Sequence, residues 1–135
     1  MSLFKRFLIG QASNMPLVSR QGDGLVGNLS VSSVATDAAV TMTVAQMAGG
    51  LVQYTGFSAG RAITTPTAAL ILAACPDMDI GDAFSFIVSI VPGFAGTWTA
   101  GAGVTLSGRA TTPASSWSIV TVIKASATTV TWNVT

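Results

Sequence analysis

The chain has no histidine, and its five acidic residues are all aspartate, at positions 23, 37, 77, 79 and 82. General acid–base catalysis draws most often on histidine, then on Glu or Asp. A Ser–His–Asp or Cys–His arrangement therefore cannot form within one chain. Histidine-ligated zinc is excluded, and a single cysteine cannot build a four-cysteine site. With no imidazole, the surface charge should be insensitive to pH between about 5 and 8. Glycosidase-type chemistry needs paired carboxylates, and only Asp77, Asp79 and Asp82 lie close together. The composition points away from an enzyme, and no cofactor is expected.

Charge of either sign is scarce. Charged residues make up 8% of the chain, against about 25% in ordinary proteins. Lys5, Arg6, Arg20, Arg61, Arg109 and Lys124 are scattered, with only the first two adjacent. A nucleic-acid footprint needs clustered basic residues, so nucleic acid is not an expected partner. Cys75 is the only cysteine, which excludes an intrachain disulfide. It closes the apolar run 68–75, where a cysteine behaves as a small buried hydrophobe. A lone thiol suits folding in a reducing cytoplasm. Long hydrophobic runs are also missing. A spanning helix needs about 20 apolar residues, and the stretches 68–75 and 84–91 are far shorter. Residues 2–9 imitate the start of a signal peptide, but the apolar segment fails at Gly10-Gln11 and Ser13-Asn14. No membrane partner is expected.

What is present is apolar and β-forming. Half of the 135 residues are hydrophobic, enough for one domain with a real core. Residues 1–28 stand apart. Leu3, Phe4, Phe7 and Leu8 fall at helical spacing, with Lys5 and Arg6 elsewhere on the turn. Gln21-Gly22-Asp23-Gly24 is a turn cluster. This reads as an N-terminal arm followed by a loop. An arm with four large apolar side chains seeks a surface to cover.

Residues 29–135 read as one β domain. Its 17 threonines and 11 serines, with many Val and Ile, suit pleated, half-buried surfaces. Residues 39–47 alternate, with Val40, Met42 and Val44 on one face. Further strands are expected at 51–54, 83–91, 96–99, 104–106, 117–123 and 129–134, the strongest placing Phe84, Phe86, Val88 and Ile90 on one face. Strands recurring between turn signals every 8–12 residues give an all-β fold, a small β-sandwich or β-barrel. One helix interrupts them: Thr65 can cap it, Pro66 suits its first position, residues 68–74 are helix-compatible and Pro76 ends it.

Three local features invite chemical readings. Gly101-Ala102-Gly103 lacks the third glycine, following helix and lysine of a phosphate cradle. It reads as a bend or bulge before Val104. Asp77, Asp79 and Asp82 fall within six residues. They could offer oxygen ligands to Ca²⁺, but the spacing does not match the EF-hand loop. An Asp-rich turn is the plainer reading, and no metal site is assigned. Trp98, Trp117 and Trp132 could form a sugar platform, but rings on strands more commonly serve a core or a subunit interface. They are candidates for an oligomer interface.

The order of features from residue 81 carries a resemblance. Gly81-Asp82 leads into an aromatic alternating strand through Phe84, Phe86 and Val88. Gly101, Gly103, Val104, Leu106 and Gly108 follow, then two terminal strands. This resembles the C-terminal β-domain of small capsid decoration, or cement, proteins of tailed bacteriophages, which also recurs in some tail-fibre proteins. The resemblance spans roughly residues 65–135 and includes the helix. It implies a structural virion protein on the capsid exterior, synthesised in the host bacterial cytoplasm. The implied partners are the major capsid protein and the chain itself, as a homotrimer. Leu3, Phe4, Lys5, Arg6, Phe7 and Leu8 are then candidates for a capsid-docking arm. A receptor-binding or fibre-tip module that recognises a host glycan is the alternative, and a tail or collar adaptor is a third reading.

Overall fold

The computed structural model describes residues 30–135. The proposed docking arm, residues 3–8, lies outside the described residues. The strands are β1 (Ser30–Val34), β2 (Val40–Thr41), β3 (Gly50–Tyr54), β4 (Arg61–Thr64), β5 (Ala83–Ile90), β6 (Gly96–Thr99), β7 (Val104–Gly108), β8 (Thr111–Thr112), β9 (Ser116–Lys124) and β10 (Val130–Val134). Two short helices join them, α1 (Val44–Ala48) and α2 (Ala68–Ala74). The all-β expectation holds.

One sheet has six strands in the order β1-β3-β5-β9-β10-β7, and the other has four in the order β2-β4-β6-β8. Up to β8, odd strands enter the first sheet and even strands the second. Within the first sheet β1, β3 and β5 are parallel; within the second, β2, β4 and β6 are parallel. Parallel neighbours cannot be joined by a tight hairpin. Here each crossover runs through a strand of the other sheet. After β5 the pairing turns antiparallel, β5 to β9 and β9 to β10, and the last pair, β10 with β7, is parallel again.

Strict alternation builds the core. Phe86, Val88 and Ile90 of β5 are buried, with Phe84 packed against them. Val120 and Val122 of β9 and Val130, Trp132 and Val134 of β10 extend the same inner face. The second sheet contributes Ile63 and Trp98. The Trp98 and Trp132 rings sit 5.6 Å apart at 54°, and Phe86 meets Trp132 edge-on at 5.5 Å.

Three expectations need correction. The alternating stretch 39–47 is not one strand: only Val40–Thr41 pairs as a strand, and a helix follows. Thr43 and Gln46 form a reciprocal capping box, with Thr43 N–H donating to Gln46 Oε1 at 2.8 Å and Gln46 N–H donating to Thr43 Oγ1 at 3.2 Å. That Thr-x-x-Gln pattern starts helices, and it overrides the alternation. The cap of α2 is Thr67, whose Oγ1 accepts from Leu70 N–H at 3.3 Å. Thr65 is buried instead, and its Oγ1 accepts from Gly101 N–H at 2.9 Å. It thus ties the start of α2 to the bend before β7. Cys75 is not fully buried; it caps the C-terminus of α2 at intermediate exposure. Partial burial still pushes its thiol pKa up, which lowers its reactivity.

The end of β7 requires a glycine. Gly108 has φ +79°, and a Cβ there would fall 2.1 Å from the Val134 carbonyl oxygen. Both the backbone conformation and the space exclude a side chain. Gly108→Ala should therefore destabilise the domain by more than about 1 kcal/mol. A urea denaturation midpoint within error of the parent's would contradict this.

Candidate functional site

The described surface offers a broad uncharged face rather than a reactive cleft. Along β5 and β9, the residues alternating with the core point away from it: Ser85, Ile87 and Ser89, and Trp117, Ile119, Thr121 and Ile123. Pairing register then lines up Val31, Leu51, Ile87 and Ile119 across four adjacent strands. Val31 is 56% exposed, Ile119 40% and Ile87 38%. One row along lies Trp117, beside Ser89 and 60% exposed. On the other side the register is polar, with Ser85 and Thr121 hydroxyls 2.8 Å apart and Asn133 and Ser107 continuing the row.

No charged residue occupies the outward positions of these strands among the described residues. Charge lies at the periphery. Arg61 opens β4 in the other sheet, and Lys124 ends β9 with its Nζ donating to the Met78 carbonyl at 2.7 Å. Asp77, Asp79 and Asp82 lie between α2 and β5. Asp82 closes a local turn, accepting at Oδ2 from Asp79 N–H at 2.9 Å while its own N–H donates to the Asp79 carbonyl at 2.9 Å. Among the described residues no group of three or more His, Cys, Asp or Glu is placed to hold a metal ion.

Two shallow recesses flank the domain. One, of about 270 Å³, lies between β5 and β9 and is lined by Ser89, Ser116 and Trp117, among others. The second, about 470 Å³, lies between β2 and α2, lined by Met42, Val44, Pro66 and Leu70 with threonines around them. Neither contains a titratable side chain.

The three tryptophans divide sharply. Trp98 and Trp132 are core residues, and Trp98 Nε1–H donates to buried Thr112 Oγ1 at 3.2 Å. This corrects the interface assignment for those two: both rings are covered by the chain's own opposing sheet, so neither is open to a partner. It also removes a three-ring sugar platform. Trp117 alone is on the surface.

A polar clasp that the sequence did not suggest links the β1–β2 loop to β4. Asp37 Oδ1 accepts from Ser58 N–H and from Arg61 Nε, each at 2.9 Å, and pairs with Arg61 Nη2 at 2.8 Å. Its Oδ2 accepts from the Ser58 hydroxyl. The Ser58 hydroxyl and amide, then Arg61, hold the Asp37 carboxyl well down, at about 2. A folded pKa below the unfolded one adds stability above the unfolded value, which is lost as pH falls through the folded value. Stability should therefore stay level from pH 8 to 5 and drop between about 4 and 2. Asp37→Asn should shrink that acid drop when melting temperature is followed against pH. An unchanged acid limb in the variant would rule out the clasp as its source.

Compared with known protein families, with curated proteins and with solved structures, the chain matches none. Among the described residues no helix is long and apolar enough to cross a membrane.

Proposed function

We propose that this chain is a structural virion protein that binds the outside of a phage capsid and clamps neighbouring capsomers. The observation that supports it is the uncharged outer sheet face with its row of Val31, Leu51, Ile87 and Ile119, a surface built for packing within an assembly, whether against the shell or against further copies. Such a face suits a dry protein contact better than chemistry on a small substrate. The resemblance of residues 65–135 to phage decoration proteins gives that contact a setting. In this reading the two sheets form a β-sandwich, which presents a flat outer face. The mechanism is passive. A protein that buries apolar surface only on the assembled shell shifts the equilibrium toward the intact particle. Residues 3–8 dock on the major capsid protein, with Lys5 and Arg6 pairing with acidic groups there. The chain acts as a homotrimer.

Imaging purified virions for copy number and position tests this. Hundreds of copies over the capsid exterior are expected. A few copies at the tail would sink the decoration reading.

A second reading rests on Trp117, which stands exposed beside the recess lined by Ser89 and Ser116. An exposed ring next to hydroxyls is a minimal sugar-stacking site. It would make the chain a receptor-binding or fibre module for a host glycan. Screening the purified chain against host surface glycans should then give binding that Trp117→Ala abolishes.

A further inference from the structure

The register of the six-stranded sheet leads to a specific partner. We infer that the outer face of this sheet, centred on Val31, Leu51, Ile87 and Ile119, is the contact between copies of this chain. The inference takes up the self-association proposed above but not its three-fold symmetry, since one face meeting the same face of a second copy is a two-fold contact; it does not depend on where the assembly sits.

The first argument is the sheet itself. Parallel strands are normally covered on both faces and are apolar on both. Strands β1, β3 and β5 pair in parallel. In β3 and β5 apolar residues stand on both faces: Val52 and Val88 point inward and are fully buried, while Leu51 and Ile87 point outward among Gln53, Ser85 and Ser89. An antiparallel sheet with one solvated face would place polar residues at these outward sites. Four aliphatic side chains in register across four strands depart from that rule. They mark a face that needs a cover.

Charge selects the cover. A homo-oligomeric contact sets a surface against a copy of the same molecule, so a patch of one sign would oppose itself. This face has no charge among the described residues, so copies meet without repulsion. It also offers no potential to steer or orient a charged partner. Hydroxyl and amide groups at Ser85, Thr121, Asn133 and Ser107 flank the apolar row and can pair with identical groups in another copy.

The area is sufficient. Six strands at about 4.8 Å spacing make a face roughly 24 Å wide and about 20 Å long. Two such faces give a footprint of roughly 1,000 Å², the lower bound for a specific contact. Trp117 lies on the same face, and a tryptophan anchor is the side chain that raises a contact of this size to stable affinity.

Sedimentation of the full chain tests the inference. The parent should sediment as an oligomer at micromolar concentration. Ile87→Lys and Ile119→Lys should each raise the dissociation constant at least 100-fold and yield folded monomers, judged by an unchanged far-ultraviolet dichroism spectrum. Ile119→Thr keeps a strand-forming residue and should weaken association to a smaller degree, which guards against a lysine variant that misfolds. Ile80→Lys changes an exposed residue in the turn before β5 and should leave the oligomer intact. A monomeric parent would overturn the inference, because the face would then be covered by something other than a copy. Lysine variants that still assemble would overturn it equally. An oligomer that needs this face yet is missing from capsids would instead sink the decoration reading alone.

Discussion

Trp132→Ala is expected to remove about 3–5 kcal/mol of stability. Trp132 is fully buried on β10 and contacts Trp98 from the second sheet and Phe86 from its own. It is the largest fully buried side chain among the described residues. Its loss leaves a void between the sheets that neighbouring β-branched residues cannot fill by rotation. A domain of this size has roughly 5–15 kcal/mol in total, so the melting temperature should fall by roughly 10–20 °C. Trp132→Phe should cost much less. Among the described residues the indole N–H of Trp132 has no hydrogen-bond partner, and phenylalanine removes that unsatisfied donor while keeping a ring in place. Trp117→Ala provides the contrast. At 60% exposure it should change monomer stability by no more than about 0.5 kcal/mol. Thermal melts of the three variants would test this, and a Trp132→Ala melt within a few degrees of the parent would contradict it.

The contrast between Trp117 and Trp132 also shows what a sequence conveys. The alternation of Phe84, Phe86, Val88 and Ile90 was legible because side-chain direction in a strand has a period of two. The same rule separates Trp132, flanked by inward Val130 and Val134, from Trp117, which is out of phase with inward Val120 and Val122. Strands β1, β4 and β8 were not legible. Ser30-Val31-Ser32-Ser33-Val34 is mostly small and polar, and β8 is two threonines. Such segments become strands through their neighbours. The parallel winding was hidden for a related reason: alternation gives the face of a residue, not its partner strand. The row of Val31, Leu51, Ile87 and Ile119 joins residues far apart in sequence, so only the pairing register brings it together. The Asp37–Arg61 clasp is hidden in the sequence likewise, since neither residue has a local pattern that points to the other. The Thr-x-x-Gln signal at Thr43 and Gln46 is present in the sequence, but the strand-like period over 39–47 masks it.

Deleting residues 1–20 is expected to abolish binding to assembled capsids while the β domain still folds. In the proposed reading, Leu3, Phe4, Phe7 and Leu8 carry the contact. Fully burying four such side chains gives on the order of 6–12 kcal/mol before losses, and ordering the segment takes back much of it. A net loss of at least ~100-fold in affinity corresponds to only about 2.7 kcal/mol, well within that margin. The melting temperature should change by no more than a few degrees, because among the described residues the buried core from Met42 to Val134 closes on itself. Two smaller variants separate the forces. Phe4→Ala with Phe7→Ala should weaken binding at all salt concentrations. Lys5→Ala with Arg6→Ala should weaken it mainly at low salt, where exposed charges are least screened. Co-sedimentation with shells stripped of the protein would measure all three. Full binding by the truncated chain would remove the arm from the mechanism and leave the folded domain as the docking element.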